Sequence, residues 1–165
     1  MDTSDIEKIL NYLCQELGGE WLIAGGSLVR LAFDSSRGTE DLDLMRVKDS
    51  AQSNDASRNK LYQWLIARGL GPEWVNDAME PFVREADGWE GQLVLLREGT
   101  KGKIYRPSLT LFVFLKLRRG TDIDIEDIKK AIPFCKEGFD PSVFKKWNHP
   151  NVKKNFARVE RLLLG

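Results

Sequence analysis

The chain predicts an α+β fold, a mixed sheet of about four or five strands flanked by helices and followed by a helical C-terminal segment. Three observations carry this. An amphipathic run at three- and four-residue spacing opens the chain, short apolar segments bounded by glycine fill its middle, and only helical spacing follows Pro107. The 165 residues read as one domain, with 1–107 as the sheet-containing core and 108–165 as the helical part. A domain of this size buries roughly 70% of its unfolded surface, enough for a sizeable core.

Taken in order, Ile6, Ile9, Leu10, Leu13, Cys14 and Leu17 predict a first helix, with Ser4 or Asp5 as N-cap and Gly18-Gly19 as its end. Trp21 to Ala24 is a short buried strand leading into Gly25-Gly26-Ser27. Leu28, Leu31, Ala32 and Phe33 place a short helix after that turn, and Asp34 to Gly38 is a polar loop. A strand carrying Asp41 and Asp43 then runs through Val47, and Lys48 to Asn54 is a polar connector. Leu61, Trp64 and Leu65 mark a helix from Asp55 that Gly69 closes. The stretch from Gly69 to Val83 reads as an irregular loop with one short helix. Gln92 to Leu96 and Lys103 to Tyr105 form a hairpin. Ser108 caps a helix through Lys116 that breaks at Gly120, and Asp124 caps the next, through Ile128 and Ile132. Pro141 starts a short helix with Val143 and Phe144, and Val152, Phe156, Val159, Leu162 and Leu163 make a last amphipathic one.

Composition narrows the function. Formal net charge is zero, from 25 basic and 25 acidic residues, so overall charge gives no case for nonspecific nucleic-acid or membrane binding, and a local basic patch stays open. Cys14 and Cys135 form no metal-binding pair and read as buried free thiols of an intracellular protein. His149, the one histidine, reads as a turn residue and excludes catalysis built on several imidazoles. The acidic N-terminus is unlike a signal peptide, and no run of apolar residues spans a membrane, so the expected location is cytoplasmic.

The chemistry concentrates between Ile23 and Met45. Asp41 and Asp43 are two apart, so a strand puts both on one face and Leu42 and Leu44 on the other. Two adjacent acids repel, and a divalent cation between them relieves that repulsion. Mg²⁺ suits such a pair, because it takes a few carboxylate oxygens and completes its octahedron with phosphate and water. Gly25-Gly26-Ser27 ends one strand and opens a helix, which aims backbone N–H groups at a phosphate. A second constellation sets Lys116, Asp124 and Asp127 at offsets of zero, eight and eleven. By themselves Lys116 is equally a lysine reaching past the core and Asp124 an acid complementing a helix dipole.

Gly-Gly-Ser, thirteen residues and then Asp-x-Asp together resemble the signature of the nucleotidyltransferase superfamily, the DNA polymerase beta-like fold. The Lys116 to Asp127 stretch is similar to a segment of its AbiEii-like and DUF6036-like branch, as are Arg30, the residues before Asp41, and Trp74, Val75, Asn76 and Asp77. The likeness runs from about Leu22 to Ile128, and nothing from Pro133 onward contributes to it. It implies a nucleotidyltransferase-like sheet and transfer of a nucleoside monophosphate from an NTP to a hydroxyl of RNA, protein or a small molecule, with Mg²⁺ or Mn²⁺ as cofactor. Asp41 and Asp43 would hold the metal and, with Lys116 and Asp124, be catalytic. Gly25, Gly26, Ser27, Arg30, Arg37 and Thr39 would bind the nucleotide, and Arg46 could add charge from the strand. Several members of that branch belong to toxin–antitoxin or phage-defence systems, so a cognate toxin or antitoxin is among the implied partners.

Two departures from the pattern matter. Thr121 stands where an arginine is expected, leaving that role to Arg118 or Arg119, and the third carboxylate of polymerase-like members has only Glu98 as a candidate. The alternative is therefore a catalytically inactive nucleotide-binding or partner-binding module on the same fold.

Overall fold

The computed structural model describes residues 1–48 and 54–165, so most of the expected Lys48 to Asn54 connector lies outside the described residues. Helix α1, Thr3–Tyr12, continues as a wider π turn over Leu13–Leu17 and buries Ile6, Ile9, Leu10, Leu13 and Cys14. Its N-cap is Asp2, not Ser4 or Asp5; Asp5 is instead the reciprocal partner three residues inside the helix, completing a capping box.

Strand β1, Gly19–Ala24, passes directly into helix α2, Gly25–Leu28, which widens into a π turn over Val29–Phe33. Strand β2, Leu42–Lys48, returns antiparallel to β1, and helix α3, Asn54–Ala67, follows. The stretch expected to be irregular holds a 3-10 turn at Pro72–Trp74, a two-residue strand β3, Val75–Asn76, and the short helix α4, Glu80–Glu85. β3 is visible only through its partner: it lies parallel to β2, with Asp43 opposite Asn76. The expected hairpin is β4, Leu93–Glu98, and β5, Gly102–Pro107, and β5 joins β1 in parallel. Among the described residues these make a five-stranded mixed sheet in the order β3-β2-β1-β5-β4.

Helix α5, Leu109–Leu117, is capped by Ser108 as expected and is nearly all buried. Gly120, at φ 65°, turns the chain into α6, Asp122–Ala131. The cap of α6 is Thr121; Asp124 sits three residues on and closes the capping box, a different position from the one its sequence suggested. Helix α7, Pro141–Phe144, matches its expectation. The final run is two helices, α8, Pro150–Phe156, and α9, Glu160–Leu164. It breaks because Asn155 and Arg158 are tied to the carbonyls of Leu117 and Gly120, and Val159 turns into the core. Cys14 and Cys135 are buried free thiols. Among the described residues no helix is long and apolar enough to cross a membrane.

Candidate functional site

The C-terminal end of β1, the start of β2 and the N-terminus of α2 meet in one place. Asp43 pairs across the sheet with Ala24, the residue that caps α2, so its carboxylate lies over the first helical residue. A Cβ added at Gly25 would stand 1.8 Å from Asp43 Oδ2, and Gly25 has φ 66°. Both the close approach and the backbone conformation require glycine. At Gly26 the neighbours of an added Cβ would be Arg37 Nη2 at 3.2 Å and Thr39 Oγ1 at 3.4 Å.

Asp41, one residue ahead of β2, is exposed and its Oδ2 accepts a 2.8 Å hydrogen bond from Asn76 Nδ2. Asp43 is partly buried, and its carboxyl is pushed up from 3.8 to about 6, first by burial and then by the charge of Asp41, against the opposing pull of Lys116. Among the described residues no cluster of three or more metal-ligating side chains forms. Asp41 and Asp43 nevertheless suit a hard divalent cation, since Mg²⁺ takes one or two protein carboxylates and leaves its other positions to phosphate and water.

Facing the acids is a row of anchored cations. Lys116, only 7% exposed, donates to Asp127 Oδ2 at 2.7 Å and lies 3.5 Å from Asp124 Oδ1. Arg37 Nε reaches Asp127 Oδ1 at 2.9 Å, and Arg119 grips Asp124 through two 2.8 Å bonds. Burial alone would push the Asp124 carboxyl up; Arg119 together with the Thr121 hydroxyl and N–H outweighs it and holds the group down to about 2. Asp124 and Asp127 are themselves almost inaccessible. They hold the three cations in place at the cleft, Asp124 at the floor of its apolar lobe.

The cleft has two lobes that share Gly25, Asp43, Lys116 and Arg119. The polar lobe, about 680 Å³, adds Gly26, Arg37, Gly38, Thr39, Glu40 and Asp41. The apolar lobe, about 500 Å³, is walled by Met79, Phe82, Phe112 and Leu115, with Arg118 Cζ 4.3 Å from the centre of the Phe82 ring.

The sequence-derived residues divide accordingly. Gly25, Gly26, Arg37, Thr39, Asp41, Asp43 and Lys116 come together in the cleft, and Asp124, almost wholly buried, lines its apolar lobe beneath Arg119. Ser27 is fully buried and its hydroxyl donates to the Ala24 carbonyl, so only its backbone faces the turn. Arg30 points away, bonding Thr3 Oγ1 and the Arg37 carbonyl, and steadies the loop from outside. Arg46 lies on the other face of the sheet from Asp43, its guanidinium 4.8 Å from the Trp21 ring. Glu98 is at the opposite end of the sheet beside Lys103, which excludes it as a partner of Asp41 and Asp43. The strand residue beside Asp43 is Asn76. Arg119, not Arg118, is the arginine tied to Asp124. Asn76 and Asp127 had no stated role in the sequence; their signals were the apolar Trp74-Val75 just ahead of Asn76 and the offset of eleven from Lys116.

One family model, described as nucleotidyltransferase of unknown function (DUF6036), matches residues 4–134, well over half of the chain. No curated protein and no solved structure matches it.

Proposed function

The chain belongs to the DUF6036 nucleotidyltransferase family, and from that premise we propose that it transfers a nucleoside monophosphate from an NTP to an acceptor hydroxyl. The observation that carries the proposal is the Asp43 carboxylate seated over Gly25, with three cations held across from it. The polar lobe suits a triphosphate: Gly25 and Gly26, at the start of α2, line it together with Arg37, Lys116 and Arg119. The acceptor oxygen bonds to the α-phosphorus as the bond to pyrophosphate breaks and the hydroxyl proton is released. Lys116 and Arg119 stabilise the charge that gathers on the leaving oxygens.

Asp41 and Asp43 would hold Mg²⁺ or Mn²⁺, which supplies charge neutralisation at the phosphates. Because Asp124 and Asp127 offset two of the three cations, Asp41 and Asp43 leave the cleft net negative and would repel a bare NTP. Nucleotide and metal should therefore bind together.

A second reading keeps the nucleotide site without turnover, and Asn76 favours it. A later-strand residue beside Asp43 is where a third acid would act, and an amide there cannot supply a negative ligand. The deciding experiment is incubation with each α-labelled NTP, Mg²⁺ or Mn²⁺, and a cell extract as the source of RNA, protein and small-molecule acceptors. Label transferred by wild type, and lost in Asp41→Ala and Asp43→Ala proteins of unchanged fold, is the expected result. Metal-dependent NTP binding with no transfer to any acceptor in the extract would favour the inactive module instead. A cognate toxin or antitoxin is the partner this family reading suggests, and co-purification from the native host tests it.

A further inference from the structure

Charge is segregated along the chain. Residues 141–165 hold six of the 25 basic side chains and, in Glu160, one of the 25 acidic ones, so this segment carries +5 and the rest of the neutral chain −5. Lys145, Lys146, Lys153, Lys154, Arg158 and Arg161 are all exposed. The segment also lies beyond the family match, so nothing in the nucleotidyltransferase core requires its charge.

The basic residues surround aromatic surface. A groove of about 410 Å³ runs between α7 and α8, with the half-buried Phe139 and Phe156 in it over the buried Phe144, and with Lys145, Lys153 and one acid, Glu160, also lining it. Cations that track phosphates beside aromatic rings that take unpaired bases are the two elements of a single-strand nucleic-acid surface.

The placement connects this surface to the cleft. Phe112, Leu115 and Lys116 of α5 face the cleft, whereas Thr110, Phe114 and Leu117 meet the C-terminal helices through Asp140, Trp147 and Asn155. These are opposite faces of one helix, about 10 Å across. The short way between them is around the α5–α6 turn. There Arg119 has a side chain 67% exposed, and Arg158 donates to the Gly120 carbonyl at 2.7 Å and pairs with the exposed Asp122 at 2.6 Å, so Arg119 and the lysines carry the net positive charge of the path.

We propose that residues 141–165 form a binding surface for a single-stranded polynucleotide, which passes around the α5–α6 turn and presents its terminal hydroxyl to the cleft. This rests on the nucleotidyltransferase reading for the last step only. The binding surface stands on charge and geometry.

The test is fluorescence anisotropy of the full chain with fluorescein-labelled RNA and DNA single strands of about 16 nucleotides, titrated between about 50 and 200 mM salt. Metal-dependent binding of trinitrophenyl-ATP is measured in parallel. Wild type should bind the strands with steep salt dependence. A Lys153→Glu/Lys154→Glu protein should bind at least about tenfold more weakly, with a shallower salt slope, and Lys153→Arg/Lys154→Arg should bind as wild type does. Lys145→Gln/Lys146→Gln provides an independent loss if the reversal protein does not fold. Nucleotide binding should be equal in all of them. No strand binding, strand binding unaffected by these changes, or binding only to phosphatidylserine vesicles would overturn the proposal while leaving the nucleotide site intact. Strand binding without metal-dependent nucleotide binding would keep the surface and overturn the nucleotidyltransferase reading.

Discussion

At the scale of single residues, Asp43 and Gly25 are interlocked, and each predicts the behaviour of the other. Gly25→Ala has no room, since its Cβ would overlap the Asp43 carboxylate and its backbone is left-handed. The expected cost is about 1–3 kcal/mol of stability, together with loss of metal-dependent nucleotide binding as Asp43 is displaced. Thermal unfolding and a binding titration on one preparation check both. Asp43→Asn should act in the opposite sense on stability. With its folded carboxyl at about 6 against 3.8 ordinarily, the native state holds an extra proton between those values. Stability of the metal-free protein therefore falls as pH rises from about 4 to about 6 and levels off above, by up to about 3 kcal/mol. In EDTA the asparagine variant should match wild type near pH 4 and melt higher at pH 8. An unchanged pH dependence in the variant would assign the fall to another group. The acids and glycines were legible in the sequence because strand period and turn chemistry act locally. The directions of Ser27 and Arg30 were not, because a carbonyl three residues back and a threonine on another helix decide them.

At the scale of elements, α6 works as a rack. Asp124 and Asp127, one turn apart and both buried, hold Arg37 from the loop before β2 and Lys116 and Arg119 from the end of α5. Asp127→Asn removes the charge that balances Lys116 and Arg37 inside the protein, and should destabilise it by about 3 kcal/mol. If Asp127 positions these cations for phosphate, the KM for NTP rises more than kcat falls. A variant with lower stability but unchanged KM would make Asp127 a structural brace alone. The helix was plain from its spacing and its acid-rich start. The offset of eleven grouped Asp127 with Lys116, but that the two form an ion pair, and that Arg37 joins them, depends on the Gly120 turn and on packing between separate elements. The cap moved from Asp124 to Thr121 for a related reason: the carboxylate of Asp124 closes on the Thr121 N–H and on Arg119.

For the whole molecule, metal and nucleotide should be linked. With the cleft acids in excess over free cations, Mg²⁺ or Mn²⁺ alone and NTP alone should each raise the melting temperature little, and the two together should raise it by several degrees. Asp41→Ala should abolish that joint shift, which differential scanning fluorimetry would show. A large shift from NTP without metal would refute the linkage.

By itself the sequence determined the α+β class, the strands on either side of Gly25-Gly26, the Asp41 and Asp43 pair and the basic C-terminal end, because periodicity, glycine and charge are properties of short segments. Only the tertiary structure decided that Asn76 stands beside Asp43, that Glu98 is far away, that Asp127 gathers Lys116 and Arg37, and that the last helix breaks in two. Those outcomes depend on strand order and helix packing, which join residues far apart in the chain, and no local pattern records which distant partner satisfies a buried charge or carbonyl.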